Sequence, residues 1–137
     1  MPEAWTVLVP GVGTGKALVL DEPLSFWGGL DPVTGRLIDA HHPQLGATLA
    51  GRVLAMPSGR GSSSSSYVFA EAIRAGTAPV AVVLAEPDPI LALGAIVASE
   101  LYGVDVPIVV APQAAIPEGA TVTVRAAAEG TVSLTTS

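Results

Sequence analysis

Two rhythms of apolar and polar positions run along this chain. The first is an unbroken apolar run of strand length. It occurs in Arg52-Val53-Leu54-Ala55-Met56, in Ala78 to Leu84 and in Val106-Pro107-Ile108-Val109-Val110. Runs without alternation suit strands covered on both faces, as in a parallel sheet flanked by helices. The second rhythm is helical. Phe69, Ala72 and Ile73 share one face, while Glu71 and Arg74 point to water, so the spacing predicts a helix from the serines near 62 to about Ala75, closed by Gly76. A second and more apolar helix is predicted over Ile90 to Leu101, opened by Asp88 or Pro89 and stopped at Tyr102-Gly103. In the tail, Thr121 to Arg125 and Thr131 to Leu134 alternate, which predicts closing strands with a polar outer face.

The first twenty residues predict a hairpin: a strand from Trp5 to Pro10, a glycine-rich turn Gly11-Val12-Gly13-Thr14-Gly15-Lys16, and a returning strand Ala17 to Leu20. A phosphate-loop reading of that turn fails, because position 10 is Pro and Ala17 follows the lysine where Ser or Thr is needed. Val33 to Asp39 reads as a turn and a short strand. There is no internal repeat and no break in composition, so residues 1–137 are taken as one domain.

Composition narrows the chemistry. Hydrophobic residues make up 50% and charged residues 13%, too apolar for a disordered chain, while aromatics are only 4%, so the core must be aliphatic. Net charge is −6 with six Lys and Arg, which argues against nucleic acid, whose phosphates need a basic face. The absence of cysteine excludes a disulfide, a thiolate-held metal or an iron–sulfur cluster ligated by this chain. Met1 to Trp5 has no basic region followed by a long apolar core, and no apolar run reaches a membrane span. The expectation is a soluble cytoplasmic protein that contacts no membrane.

Candidate chemistry gathers in Pro57-Ser58-Gly59-Arg60-Gly61-Ser62-Ser63-Ser64-Ser65-Ser66-Tyr67, between a predicted strand and a predicted helix. Glycines at 59 and 61 permit positive φ or close approach to the backbone. The first N–H groups of a helix lack intrahelical partners and sit at its positive end, so the turn can receive a carboxylate or phosphate, with Arg60 adding a fixed positive fork. Plainer readings are a serine linker and ordinary capping by Ser62 or Ser63. Phe26 and Trp27, ahead of Gly28-Gly29, suggest a loop pinned to the body or to a partner, or a plain core anchor. His41 and His42 read as surface or loop histidines, with a substrate contact as the alternative. Glu86 and Asp88 read as charges matched to a helix start, with substrate contact as the alternative.

Three long motifs, in order, resemble the aconitase X small subunit or swivel domain: Ser25 to Pro32, Pro57 to Tyr67, and Glu86-Pro87-Asp88-Pro89-Ile90-Leu91-Ala92-Leu93-Gly94-Ala95. The resemblance covers nearly the whole chain. It implies an α/β fold, a swivelling β/β/α domain with a barrel-like β layer and helices packed on parallel strands. It implies a dehydratase, a hydro-lyase active only with a large catalytic subunit that carries an iron or iron–sulfur centre. It further implies Ser62 as the proton acceptor, with Arg60, Gly61, Ser63 and Ser64 as substrate contacts and no metal held by this chain. Gly59-Arg60-Gly61 followed by five serines is closer to the bacterial cis-3-hydroxy-L-proline dehydratases than to the archaeal mevalonate 5-phosphate dehydratases. A non-catalytic swivel module and a stand-alone anion binder are the other functional classes. The roles of Ser25, His42 and Asp88 stay open.

Overall fold

A computed structural model describes residues 5–136 of the 137-residue chain. The reading of Met1 to Ala4 as lacking a leader therefore lies outside the described residues. Strands are β1 (Thr6–Val9), β2 (Gly11–Val19), β3 (Val53–Met56), β4 (Ala81–Leu84), β5 (Ile108–Val110), β6 (Thr121–Ala126) and β7 (Val132–Thr136). Helices are a single turn α1 (Phe26–Gly29), then α2 (Ser64–Ala75) and α3 (Pro89–Tyr102). Among the described residues the strands form one mixed sheet in the order β1-β5-β4-β3-β2-β6-β7. β2, β3, β4 and β5 run parallel, with α2 and α3 as crossovers, and the outer pairings are antiparallel. This is the expected α/β architecture: helices on parallel strands and a β layer curled into a half-barrel.

The apolar strands explain the two layers. Leu54, Met56, Val82 and Leu84 point into a core shared with α2 and α3, and their alternate neighbours Val53, Ala55, Ala81 and Val83 point into a second core closed by Val122, Val124 and Val132 of the β6–β7 hairpin. Both faces of the central strands are thus buried, which is why their sequence does not alternate. Gly76 and Gly103 take left-handed angles (φ 78° and 68°) and end α2 and α3 as expected. Asp88 caps α3 through Oδ1, which accepts the N–H groups of Ile90 (2.9 Å) and Leu91 (3.2 Å), and Pro89 occupies the first helical position. Where α2 meets α3, a Cβ on Gly94 would come within 2.6 Å of Ser66 O and 3.2 Å of Phe69 Cβ, so the two helices pack with nothing between them.

The amino-terminal hairpin is not formed. Gly11 to Lys16 is the first half of the nine-residue strand β2, and β1 pairs with β5. The two halves of β2 serve different neighbours: Gly11–Lys16 pairs with β6, and Ala17–Val19 pairs with β3. Glycine is needed at 13 and 15 because of close approach. A Cβ on Gly13 would lie 2.2 Å from Val80 O, and one on Gly15 would lie 2.2 Å from Gly51 O. Leu37 of the expected short strand makes only an isolated bridge to Leu30, as does Arg36 to Thr48.

Candidate active site

The three motifs meet at one edge of the sheet, beyond the carboxyl ends of β2, β3 and β4. In open parallel sheets that edge is where ligands bind. The turn after β3 is held from both sides. Pro57 O accepts the N–H groups of Ala85 (3.1 Å) and Glu86 (3.2 Å), and Arg60 N–H donates to Leu24 O (3.2 Å), next to an isolated bridge between Leu24 and Gly59. Neither Gly59 nor Gly61 takes a positive φ, contrary to one reason offered for them. Gly59 instead admits Asp88: a Cβ at 59 would lie 1.9 Å from Asp88 Oδ2. Gly61 faces open space.

Ser62 is half-buried, and its Oγ accepts the N–H of Ser64 at 3.3 Å. Ser62 O accepts Ser65 N–H (2.9 Å), and Ser63 O accepts both Ser66 N–H (3.3 Å) and Ser66 Oγ–H (2.8 Å). Ser63 is the N-cap position of α2, yet its side chain makes no cap bond; Ser62 Oγ serves a helix-start N–H instead. The linker reading fails, because Ser64 to Ser66 are helical. Ser63 is exposed, Ser64 half-buried, and the Arg60 guanidinium lies 4.0 Å from Glu22 Oε1 with both side chains about half exposed, a weak pair. Arg60, Gly61, Ser62, Ser63 and Ser64 therefore share one short turn.

Sequence reasoning missed Ser65, which is buried. Its Oγ accepts Trp27 N–H (3.0 Å) and lies 3.3 Å from Ser25 Oγ. The signal was present: Ser65 stands four residues before the buried Phe69 and so falls on the inner face of α2. Phe26 packs edge-on against Phe69 with ring centroids 5.1 Å apart, worth about 0.5–1.5 kcal/mol beyond its buried area. The aromatic pair is split: Phe26 is fully buried, whereas Trp27 is 57% exposed. Behind them, Asp31 accepts Val33 N–H and Thr34 Oγ1–H, and these two bonds hold its carboxyl below the usual carboxylate range.

His42 is not on the surface. It is buried, its Nδ1 accepts Gln44 N–H (3.1 Å), and its Nε2 is therefore the protonated nitrogen that donates to Glu22 O (3.1 Å). Gln44 in turn donates to Val19 O (2.9 Å) and accepts Asp21 N–H (2.8 Å). These residues brace the exit of β2. His41 is exposed, and its N–H donates to Asp39 Oδ1 (2.9 Å).

A hydroxyl at a helix start that already accepts an N–H sits in positive potential, which lowers the cost of the alkoxide and favours an anion beside it. The chain has no cysteine, and among the described residues no group of three or more His, Asp or Glu side chains is placed to hold a metal ion. At the serine turn itself the groups on offer are hydroxyls, N–H groups and Arg60. A concavity of about 330 Å³ runs from Ser66 and Tyr67, at the end of the serine stretch, between α2 and α3, and others of about 300 and 350 Å³ lie away from the stretch. The serine turn is displayed on an open edge.

Comparisons with known proteins bear on this edge. The family model of the aconitase X swivel domain matches residues 4–134. The chain is 54% identical over 101 residues to a cis-3-hydroxy-L-proline dehydratase of Pseudomonas aeruginosa, covering 74% of this chain and 17% of that protein. It thus spans about a sixth of that relative's length. It is 48% identical over 92 residues to the phosphomevalonate dehydratase small subunit of Methanothermobacter thermautotrophicus, covering 67% of this chain and 70% of that one. Among solved structures, aconitase X (holo-form) of Thermococcus kodakaraensis superposes with a TM-score of 0.81 at 32% identity, covering 96% of this chain and 98% of that one.

Proposed function

The chain belongs to the aconitase X swivel-domain family, and on that premise we propose that it is the small subunit of a dehydratase in which Ser62 takes a proton from a hydroxy acid. The C–H bond beside the substrate carboxylate breaks, its proton passes to the Ser62 alkoxide, and the electron pair forms the double bond as the neighbouring C–O bond breaks and the hydroxyl departs as hydroxide. The hydroxide takes a proton from solvent and Ser62 returns its own to solvent, so the net loss is one water. The helix-start N–H groups and Arg60 favour the charge that develops on the carboxylate. The single observation that carries this reading is the Ser62 hydroxyl, half-buried at the start of α2 with an N–H already on it. The metal centre that the family resemblance implies would belong to the large subunit, as a Lewis acid for the departing hydroxyl.

The substrate we favour is cis-3-hydroxy-L-proline. The match to a protein of that name supports it, as does a turn with one arginine, enough for one carboxylate. The second reading is mevalonate 5-phosphate, favoured by relatives that are named small subunits and are matched over most of their own length. We expect the Ser62→Ala variant, assembled with its large subunit, to lose about 10²–10⁴-fold in kcat. A loss within about threefold would remove Ser62 as the base. Parallel assays with the two substrates decide between them, and turnover of mevalonate 5-phosphate alone would overturn the hydroxyproline assignment.

A further inference from the structure

Ser65 is only 3% exposed, so its hydroxyl proton must find an acceptor inside the protein. Its Oγ already accepts Trp27 N–H at 3.0 Å. A helical serine commonly turns its proton to a carbonyl one turn back, as Ser66 does toward Ser63 O. Ser65 makes no such bond among the described residues, and the other atom in reach is Ser25 Oγ at 3.3 Å. Ser65 is therefore the donor of that pair and Ser25 the acceptor. Ser25 keeps its own proton, for which no acceptor lies in reach among the described residues, and its side chain caps no helix. It is half-buried at the same sheet edge as the serine turn, and Ser65 N–H ties this pair directly to Ser62 O at 2.9 Å.

We infer that Ser25 is a substrate-contacting residue: its hydroxyl donates to a carboxylate or hydroxyl oxygen of the bound hydroxy acid, and buried Ser65 is the positioning residue that turns that proton outward. This rests on the reading that the substrate lies against Ser62. The division of labour is physical. Arg60 supplies charge from a long, half-exposed side chain, whereas Ser25 supplies a short donor from a segment anchored by Phe26 against Phe69.

The test uses the assembled dehydratase, with cis-3-hydroxy-L-proline and, in parallel, mevalonate 5-phosphate as probes. Ser25→Ala, Ser25→Thr, Ser65→Ala and the Ser25→Ala/Ser65→Ala pair are compared by kcat, KM and thermal midpoint. Loss of a hydrogen bond to a charged group predicts a fall in kcat/KM of about tenfold or more for Ser25→Ala. The thermal midpoint should fall by a few degrees, because the buried Ser65 hydroxyl loses its acceptor, and Ser25→Thr, which keeps the hydroxyl, should recover both the midpoint and most of the activity. Ser65→Ala should fall less, and the double variant should be no worse than Ser25→Ala alone, since Ser65 acts through Ser25. A Ser25→Ala enzyme with unchanged kcat/KM, while Ser62→Ala is inactive, overturns the role of Ser25 and leaves that of Ser62 standing. A Ser25→Thr enzyme that recovers the thermal midpoint but not kcat/KM overturns it as well, showing a serine whose hydroxyl serves only the fold. An active Ser62→Ala enzyme sinks the underlying reading instead.

Discussion

Two glycine-rich stretches of this chain look alike on paper and differ in space. Gly11 to Lys16 and Pro57 to Ser66 each carry glycines two residues apart and one basic residue. The first is the interior of a strand, paired residue by residue with β6. The second is a turn that ends a strand and opens α2. In both, the critical glycine answers a neighbour from far along the chain: Gly15 makes room for Gly51 O, and Gly59 makes room for the Asp88 carboxylate. Glycine marks close approach in each case. What separates a structural stretch from a candidate site is what approaches: a rigid carbonyl in one, a side chain at a helix start in the other.

Substitution sharpens this contrast. The largest effect on stability is expected from Gly15→Ala, because the added Cβ would meet a backbone oxygen that cannot rotate away. We expect a loss of about 3 kcal/mol, seen as a thermal midpoint lowered by roughly 10 °C. Gly59→Ala is expected to cost less, about 1 kcal/mol, since Asp88 can swing aside by giving up its bonds to Ile90 and Leu91. Pairing it with Asp88→Ala should then add little further loss in denaturant unfolding. The smallest effect is expected from Gly61→Ala, within about 0.5 kcal/mol, because nothing lies near and its φ is ordinary. Equal midpoint shifts for Gly15→Ala and Gly61→Ala would erase the distinction drawn between the two stretches.

The same contrast explains what was legible in the sequence. Val53 to Met56 and Ala81 to Leu84 were readable because burial on both faces leaves an unbroken apolar run. Both long helices were readable from their ends, where Asp88, Gly76 and Gly103 act locally. The glycines of β2 were not readable, because their reason lies in carbonyls 36 to 67 residues away along the chain. His42 does lie in a loop, but its burial was not readable, for the same cause: its partner is the carbonyl of Glu22. At the candidate site the turn and its serines were visible as a motif, and among five identical residues only the spacing to Phe69 told which one faces inward. Only the register of α2 separates Ser65, locked in the core, from Ser62 at the edge.

The bare contact at Gly94 carries a mechanical consequence. With Ser66 O and Phe69 Cβ seated directly on that glycine, neither helix can slip along the other without a collision. If this domain pivots on a companion protein, the row of hydroxyls, α3 and Asp88 must sweep through the same arc. The backbone that flexes in such a rotation then falls outside residues 64–102.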